Sequence, residues 1–259
     1  MFLAIDVGNT QSTLGLFDDE GQLAKGWRMT SNASDTSDTL HARLFSYFLK
    51  DGYELADVSA AAVASVVPAL TRAWWRCLGD LLGRSPLLVN ATHDYGMPID
   101  MPNPRTVGAD RIANAIAARN AYGSPVIVVD FGTATNIDVV DDRGAYRGGA
   151  ISPGLMLSAN ALFSKAAKLA SIPVEAPEHA LGDTTETAMQ SGLVIGAAAQ
   201  AEGLVSRMKA ELGIEQAKVI GTGGLARTVG RATDLFDAVD PTLTLRGIRE
   251  IWLQQHGGA

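Results

Sequence analysis

This chain of 259 residues contains one cysteine, Cys77, so no disulfide can form within it. The thiol lies in the apolar run AWWRCLGDLLG, where a core position is expected. The four histidines are scattered and make no Cys/His cluster of the kind that holds zinc or iron. Basic charge is in deficit: 21 Lys and Arg against 28 Asp and Glu leave a formal net charge of −7. That balance argues against a nucleic-acid partner, which would require a basic face. No apolar run approaches the roughly 18 residues of a membrane span. The opening MFLAID puts Asp6 where a signal peptide would still be apolar, so the expectation is a cytoplasmic protein with no membrane partner. Disorder is also excluded, because 47% of the residues are hydrophobic and 19% charged.

What is present is a repeat. Phe2 to Phe17, FLAIDVGNTQSTLGLF, returns in altered form at Val126 to Val140, VIVVDFGTATNIDVV. Each copy is an apolar β-branched run ending in Asp-x-Gly, then small hydroxyl or amide residues, then an alternating run. The closing turns match as well, FDDEG at Phe17 to Gly21 and VDDRG at Val140 to Gly144. A glycine after the aspartate lets the turn approach a ligand with no Cβ in the way. Backbone N–H groups and the side chains of Asn9, Thr10, Ser12 and Thr13 can then converge on phosphate oxygens, while Asp6 at the strand end can hold a hydrated Mg²⁺. The alternative for a single copy is an ordinary hairpin in which Asp and Asn serve turn geometry. Two copies heading two half-chains favour phosphate binding.

Further along, Gly21 to Thr30 supplies a third strand, Ser31 to Asp38 a polar loop ending in a helix N-cap, and Thr39 to Leu49 a helix closed by Asp51-Gly52. Val58 to Val67 reads as a buried strand, followed by a helix to Leu82 and a short strand at Pro86 to Val89. Asn90 to Val107, with Pro98, Pro102 and Pro104, cannot be one regular element. The run VGADRIANAIAARNAYG is a helix ending at Gly123, with Asp110 and Arg111 in its first turn.

In the second half, Ala145 to Ile151 gives a third strand, and Ser152-Pro153-Gly154 opens a helix to about Leu169. Ile172 to Leu181 is a loop. Asp183 and Glu186 stand at capping-box spacing before a long alanine-rich helix. Lys218 to Ile220 is a short strand running into Thr222-Gly223-Gly224, either a nucleoside approach or a plain tight turn. The tail PTLTLRGIREIW pairs and then finishes as a helix.

The order of three strands, helix, strand, helix, strand resembles the ribonuclease-H-like unit of the actin, Hsp70 and sugar-kinase superfamily. The resemblance implies an α/β fold of duplicated ribonuclease-H-like (actin-like ATPase) domains, residues 1–117 and 118–259, each a central mixed sheet flanked by helices.

The motifs narrow this further. DVGNT at Asp6 to Thr10, VGADR at Val107 to Arg111, DFGTA at Asp130 to Ala134, GGAISPG at Gly148 to Gly154, TETAMQSG at Thr185 to Gly192 and GTGG at Gly221 to Gly224 together resemble the type III pantothenate kinases along nearly the whole chain. That resemblance implies ATP-dependent phosphorylation of the primary hydroxyl of pantothenate, the first step of coenzyme A synthesis. Asp110 is then the general base. Asp6, Val7, Gly8, Asn9, Thr10, Gln11, Ser12 and Thr13, with Thr133, hold the ATP phosphates, and Asp6 stands near Mg²⁺ through water. Asp130 marks a monovalent-cation site for K⁺ or NH₄⁺.

Gly108, Ala109 and Arg111 line the pantothenate pocket beside Asp110, Arg111 either orienting the substrate or pairing with a nearby acid. Thr185 contacts pantothenate from the partner subunit, so a homodimer is implied, with its active site completed at the subunit interface. Met101 stands where relatives often carry a pocket tyrosine; it can cover an apolar part of the substrate but brings no hydroxyl. Rival readings are another kinase or a polyphosphate hydrolase of the superfamily, and a regulatory protein that binds nucleotide without catalysis.

Overall fold

The computed structural model describes residues 1–165 and 171–257. Among them, ten strands form two five-stranded sheets. The chain divides into two units: Met1–Gly96, Pro102–Ala117 and Leu243–Ala259 make one, Met97–Met101 and Ala118–Thr242 the other.

In the first unit β1 (Phe2–Val7), β2 (Gln11–Phe17) and β3 (Leu23–Thr30) form an antiparallel meander. Helix α1 (Ser37–Asp51) then leads to β4 (Ala60–Ser65), and α2 (Pro68–Leu82) to β5 (Leu87–Val89). The sheet order is β3-β2-β1-β4-β5, with β4 parallel to β1 and β5 parallel to β4. Local chemistry sets the helix ends. Thr36 caps α1 by accepting the Thr39 N–H, and Gly52, at φ +78°, closes it in a conformation that a Cβ would strain. Pro68 opens α2, where its missing N–H leaves no bond unmade.

Helix α3 (Ala109–Tyr122) leaves the first unit after Ala117, and β6 (Val126–Phe131), β7 (Ala134–Val140) and β8 (Tyr146–Pro153) repeat the meander. Then come α4 (Leu155–Lys165), α5 (Thr185–Gln190), a π-helical turn (Ser191–Ile195) and α6 (Gly196–Leu212). β9 (Lys218–Thr222), α7 (Ala226–Val229) and β10 (Ala238–Val239) complete the second unit. Its sheet order, β8-β7-β6-β9-β10, reproduces the first. The registers repeat too: Phe2 faces Phe17 and Asp6 faces Thr13, as Val126 faces Val140 and Asp130 faces Asn136, and both meanders carry an irregularity near the far end, at Leu16/Phe17 and at Val139/Val140.

The central strands β1 and β6 are buried on both faces. In β1, Leu3, Ile5 and Val7 join Leu14, Leu16, Leu44, Phe48 and Trp74 in one core beneath α1 and α2. Each fully buried side chain of this size contributes about 2 kcal/mol. Phe2, Ala4 and Asp6 alternate onto the opposite face, where Phe2 meets Trp252 of α8 (Leu243–His256) at 5.1 Å between ring centroids. In β6, Ile127, Val129 and Phe131 pack with Leu155, Ala159, Val194, Ala198 and Ala201.

Three sequence expectations change. Residues 243–259, expected with the second domain, lie in the first unit, because α8 brings Leu245 against Gly15 and Gly247 against Ala113. The tail does not pair before its helix: Leu243 and Leu245 are already buried helical residues, and the short strand falls earlier, at Ala238–Val239. The capping box is Thr184 with Thr187 instead of Asp183 with Glu186, since the Thr184 hydroxyl accepts the Thr187 N–H and the Thr187 hydroxyl answers the Thr184 N–H. The long alanine-rich helix is present from Thr185 to Leu212, with the π turn inside it. The end expected for α4, about Leu169, lies outside the described residues.

Gly247 tests the docking of α8. Alanine is favoured over glycine in a helix by about 1 kcal/mol, yet a Cβ here would stand 2.0 Å from the Ala113 carbonyl oxygen, which is backbone and cannot swing away. Gly247→Ala is expected to destabilise by roughly 1–3 kcal/mol net, read as a lower urea midpoint with unchanged slope; an unchanged or raised midpoint would refute the close approach.

Candidate active site

Burial on both faces of β1 ends at the carboxyl end of the strand, and there the polar residues begin. Gly8 N–H donates to the Gln11 carbonyl at 3.0 Å, closing a tight turn that leaves Asn9 and Thr10 exposed. Asp6 is half-buried, level with Thr13. Ser12 is different. It shares a strand face with the core residues Leu14 and Leu16, is 1% exposed, and its hydroxyl lies 2.8 Å from that of Ser31.

The start of α3 belongs to the same edge of the first sheet. Val66 N–H donates to the Val7 carbonyl at 3.1 Å, and the Val66 side chain lies beside Gly108. A Cβ on Gly108 would stand 2.5 Å from Asp110 Oδ1. The glycine therefore makes room for the carboxylate itself, more directly than for a substrate. Oδ1 is sealed from solvent and meets no hydrogen-bond donor among the described residues. Burial pushes the Asp110 carboxyl above the ordinary carboxylate range, and the N–H groups of Arg111 and of Asp110 and the Arg111 cation pull it back only in part. The helix start does favour the ionised form, but desolvation is the larger effect.

In the second unit Gly132 N–H donates to the Ala134 carbonyl at 3.0 Å, matching the first turn. Asp130 is half-buried and Thr133 exposed. Two glycines bring other segments against this turn. A Cβ on Gly154 would be 2.2 Å from the Thr133 carbonyl oxygen, and one on Gly223, at φ +89°, would be 2.4 Å from Asp130 Oδ1 and 2.7 Å from the Phe131 carbonyl oxygen. The Gly221 to Gly224 stretch is thus more than a plain turn: it needs glycine to press against Asp130.

Met101 packs its thioether on Gly148 of β8, with Sδ and Cε each 3.4 Å from a Cβ placed there. Thr185, exposed at the start of α5, borders a cavity of about 540 Å³ with Leu162, Ala188, Met189, Gly192 and Leu193. The sequence reading missed the partnership of Ser12 with Ser31, and also a buried pair in which the Tyr146 hydroxyl donates to Asp138 Oδ1 at 2.6 Å. Period-two alternation through NIDVV puts Asp138 on the face opposite the core residues Ile137 and Val139, so the sequence pattern hid its burial.

Duplicated five-stranded mixed sheets, each with an Asp-x-Gly turn at the end of its central strand, are the fold of the actin-like ATPase and sugar-kinase class. Solved structures agree in fold. A conserved protein assigned to the Baf family of transcriptional activators, from Campylobacter jejuni, superposes with TM-score 0.65 at 18% identity over 99% of this chain and 100% of that one. The activator of 2-hydroxyisocaproyl-CoA dehydratase from Clostridium difficile, with bound ADPNP, does so with TM-score 0.54 at 13% identity over 98% and 94%. Sequence comparison goes further. The family described as type III pantothenate kinase matches residues 2–207, and a type III pantothenate kinase from Moorella thermoacetica is 42% identical over 252 residues, 97% of this chain and 98% of that one. The chain belongs to the type III pantothenate kinase family and is an enzyme.

The raised pKa of Asp110 carries a stability consequence. A carboxyl whose folded pKa lies above its unfolded value favours the fold at low pH, and that contribution is lost as pH rises through the folded pKa. Asp110→Asn is therefore expected to raise the melting temperature at pH 7, the gain vanishing below about pH 3.8, the ordinary aspartate value. Equal melting temperatures at pH 7 would contradict the burial argument.

Proposed function

We propose that the chain transfers the γ-phosphoryl group of ATP to the primary hydroxyl of pantothenate, giving 4′-phosphopantothenate and ADP, with Asp110 as the general base. The observation that carries this is the Asp110 carboxylate, held at the first turn of α3 with one oxygen sealed from water and its pKa raised. A raised pKa makes a carboxylate a better proton acceptor. The new bond joins the pantothenate oxygen to the γ-phosphorus, the bond from that phosphorus to the β–γ bridging oxygen breaks, and the hydroxyl proton passes to Asp110. Phosphoryl transfer through a loose transition state needs little proton removal early, so placement matters as much as basicity.

In the first unit, Asp6 to Thr13 receive phosphate, chiefly through the turn amides and the exposed Asn9 and Thr10; in the second, Thr133 contacts phosphate. Asp6 suits Mg²⁺ shared with phosphates and water: among the described residues no group of three or more His, Cys, Asp or Glu could hold an ion alone. When bound, that ion neutralises charge on the β- and γ-phosphate oxygens. Asp130 Oδ1 and the Phe131 carbonyl oxygen, both close to Gly223, are oxygen donors of the kind K⁺ or NH₄⁺ takes, which supports a monovalent-cation site at Asp130. Arg111 tempers the charge on Asp110 and, with Gly108 and Ala109, borders the substrate.

Thr185 borders an apolar cavity, a setting suited to the gem-dimethyl part of pantothenate and one hydroxyl contact. Ile151, Met156, Leu157 and Leu181 are large apolar residues left exposed in the same unit. They support a homodimer in which Thr185 serves the partner's site. No helix among the described residues is long and apolar enough to cross a membrane. The cytoplasm is the proposed compartment.

Asp110→Asn should keep ATP and pantothenate binding while turnover in a coupled ADP-release assay drops by about 10²–10⁴-fold, the usual contribution of a general base, and replacing K⁺ by Na⁺ should slow the wild type. Undiminished turnover in the variant, or binding of both substrates by the wild type without product, would overturn the assignment. For the shared site, mixing inactive Asp110→Asn with inactive Thr185→Trp chains should restore activity through hybrid dimers; no recovery after verified subunit exchange would refute the partner's role.

A further inference from the structure

The polar stretch after β3 does more than carry the chain to α1. Ser31 N–H donates to the Thr10 carbonyl at 3.0 Å, and Ser31 Oγ lies 2.8 Å from Ser12 Oγ. The two contacts reach the first hairpin on either side of Gln11, whose carbonyl receives the Gly8 N–H. Ser12 is buried and Ser31 half-buried, so losing the hydroxyl pair would leave a polar atom short of water.

Ser31 itself stands on a braced segment. Asp35 N–H donates to the Asn32 carbonyl at 2.9 Å, and the Asn32 side-chain oxygen receives the Ser34 N–H and hydroxyl at 3.1 and 2.8 Å. The buried Asp35 carboxylate accepts two hydrogen bonds from Arg43 of α1, at 2.7 and 3.1 Å. The tie therefore runs from a helix, through a hydrogen-bonded loop, to the tip of the hairpin. A phosphate site built from backbone N–H groups binds best when those groups point inward before the ligand arrives, because ordering them afterwards costs affinity.

We infer that Ser31 is a positioning residue for the first phosphate hairpin: it touches no reacting atom, and acts by holding Thr10 and Ser12 in the arrangement that receives ATP. The inference rests on the assignment of Asp6 to Thr13 to the ATP phosphates. It gives the loop from Ser31 to Asp35 a task in the reaction beyond connecting β3 to α1.

The test uses the full chain and the variants Ser31→Ala, Ser31→Thr, Ser12→Ala and the double Ser12→Ala/Ser31→Ala, with steady-state kinetics for both substrates, calorimetric titration with Mg·ADP and melting curves. Ser31→Ala should raise the KM for ATP and the Kd for Mg·ADP by about three- to tenfold, the range set by one lost hydrogen bond, while kcat and the KM for pantothenate change less than about twofold. Ser31→Thr, which keeps the hydroxyl, should recover most of the loss, and the double variant should be no worse than the poorer single one because both lose the same bond.

An unchanged KM for ATP in Ser31→Ala overturns the proposal, as does an equal rise in both KM values with a lowered melting temperature, the signature of a merely structural role. Wild-type protein that neither binds Mg·ADP nor phosphorylates pantothenate would overturn the phosphate assignment as well. An active wild type with an unaffected Ser31→Ala confines the failure to Ser31.

Discussion

Burial of β1 and β6 on both faces is the constraint from which the rest of the structure follows. A strand packed between layers can carry no charge along its length, because an ion removed from water without a partner costs several kcal/mol. Polar residues can appear only where the strand runs out of cover. Asp6 and Asp130 stand at those places, each half-buried and each followed by a short turn closed by one backbone hydrogen bond. Ligands of open α/β sheets collect beyond the carboxyl ends of the strands for the same reason.

Glycine then decides how closely other segments approach those ends. At Gly108 the missing Cβ is space for the Asp110 carboxylate, whose nearest oxygen would lie 2.5 Å from it. At Gly154 and Gly223 it is space for the second turn, so that three segments meet within contact of Asp130 and Thr133. At Gly154 and Gly223 the close atoms include backbone, so those approaches would not survive an ordinary side chain. Crowding also governs the electrostatics, since the packing that seals Asp110 Oδ1 is what raises its pKa against the pull of Arg111 and the helix N–H groups.

The repeat was legible because it is written in adjacent residues. The alternation of FLAIDV and VIVVDF, the Asp-x-Gly turns and the matching FDDEG and VDDRG closures each act within one hairpin, and the two sheets carry the same strand order and the same register. The helix at Ala109 was legible from the spacing of Ile112, Ala113 and Ile116. Ser12 was harder. Its hydroxyl composition suggested a phosphate contact, but strand alternation turns it inward toward Ser31, a residue nineteen positions away. Asp183 and Glu186 had capping-box spacing, yet the helix starts one residue later, so Thr184 and Thr187 form the box, each hydroxyl accepting the other residue's N–H.

By itself the sequence determined the local conformations: which runs are strands, where the chain must turn, and that one supersecondary unit occurs twice. These depend on neighbours within a few residues, whose sterics and hydrogen bonds are the same in any fold. Tertiary structure alone decided that the last helix returns to the first sheet, that Gly247 lies against Ala113, and that Asp110 loses water from one oxygen. Each of those outcomes depends on which distant surfaces come into contact, and burial, the quantity that sets them, does not exist until the chain has closed on itself.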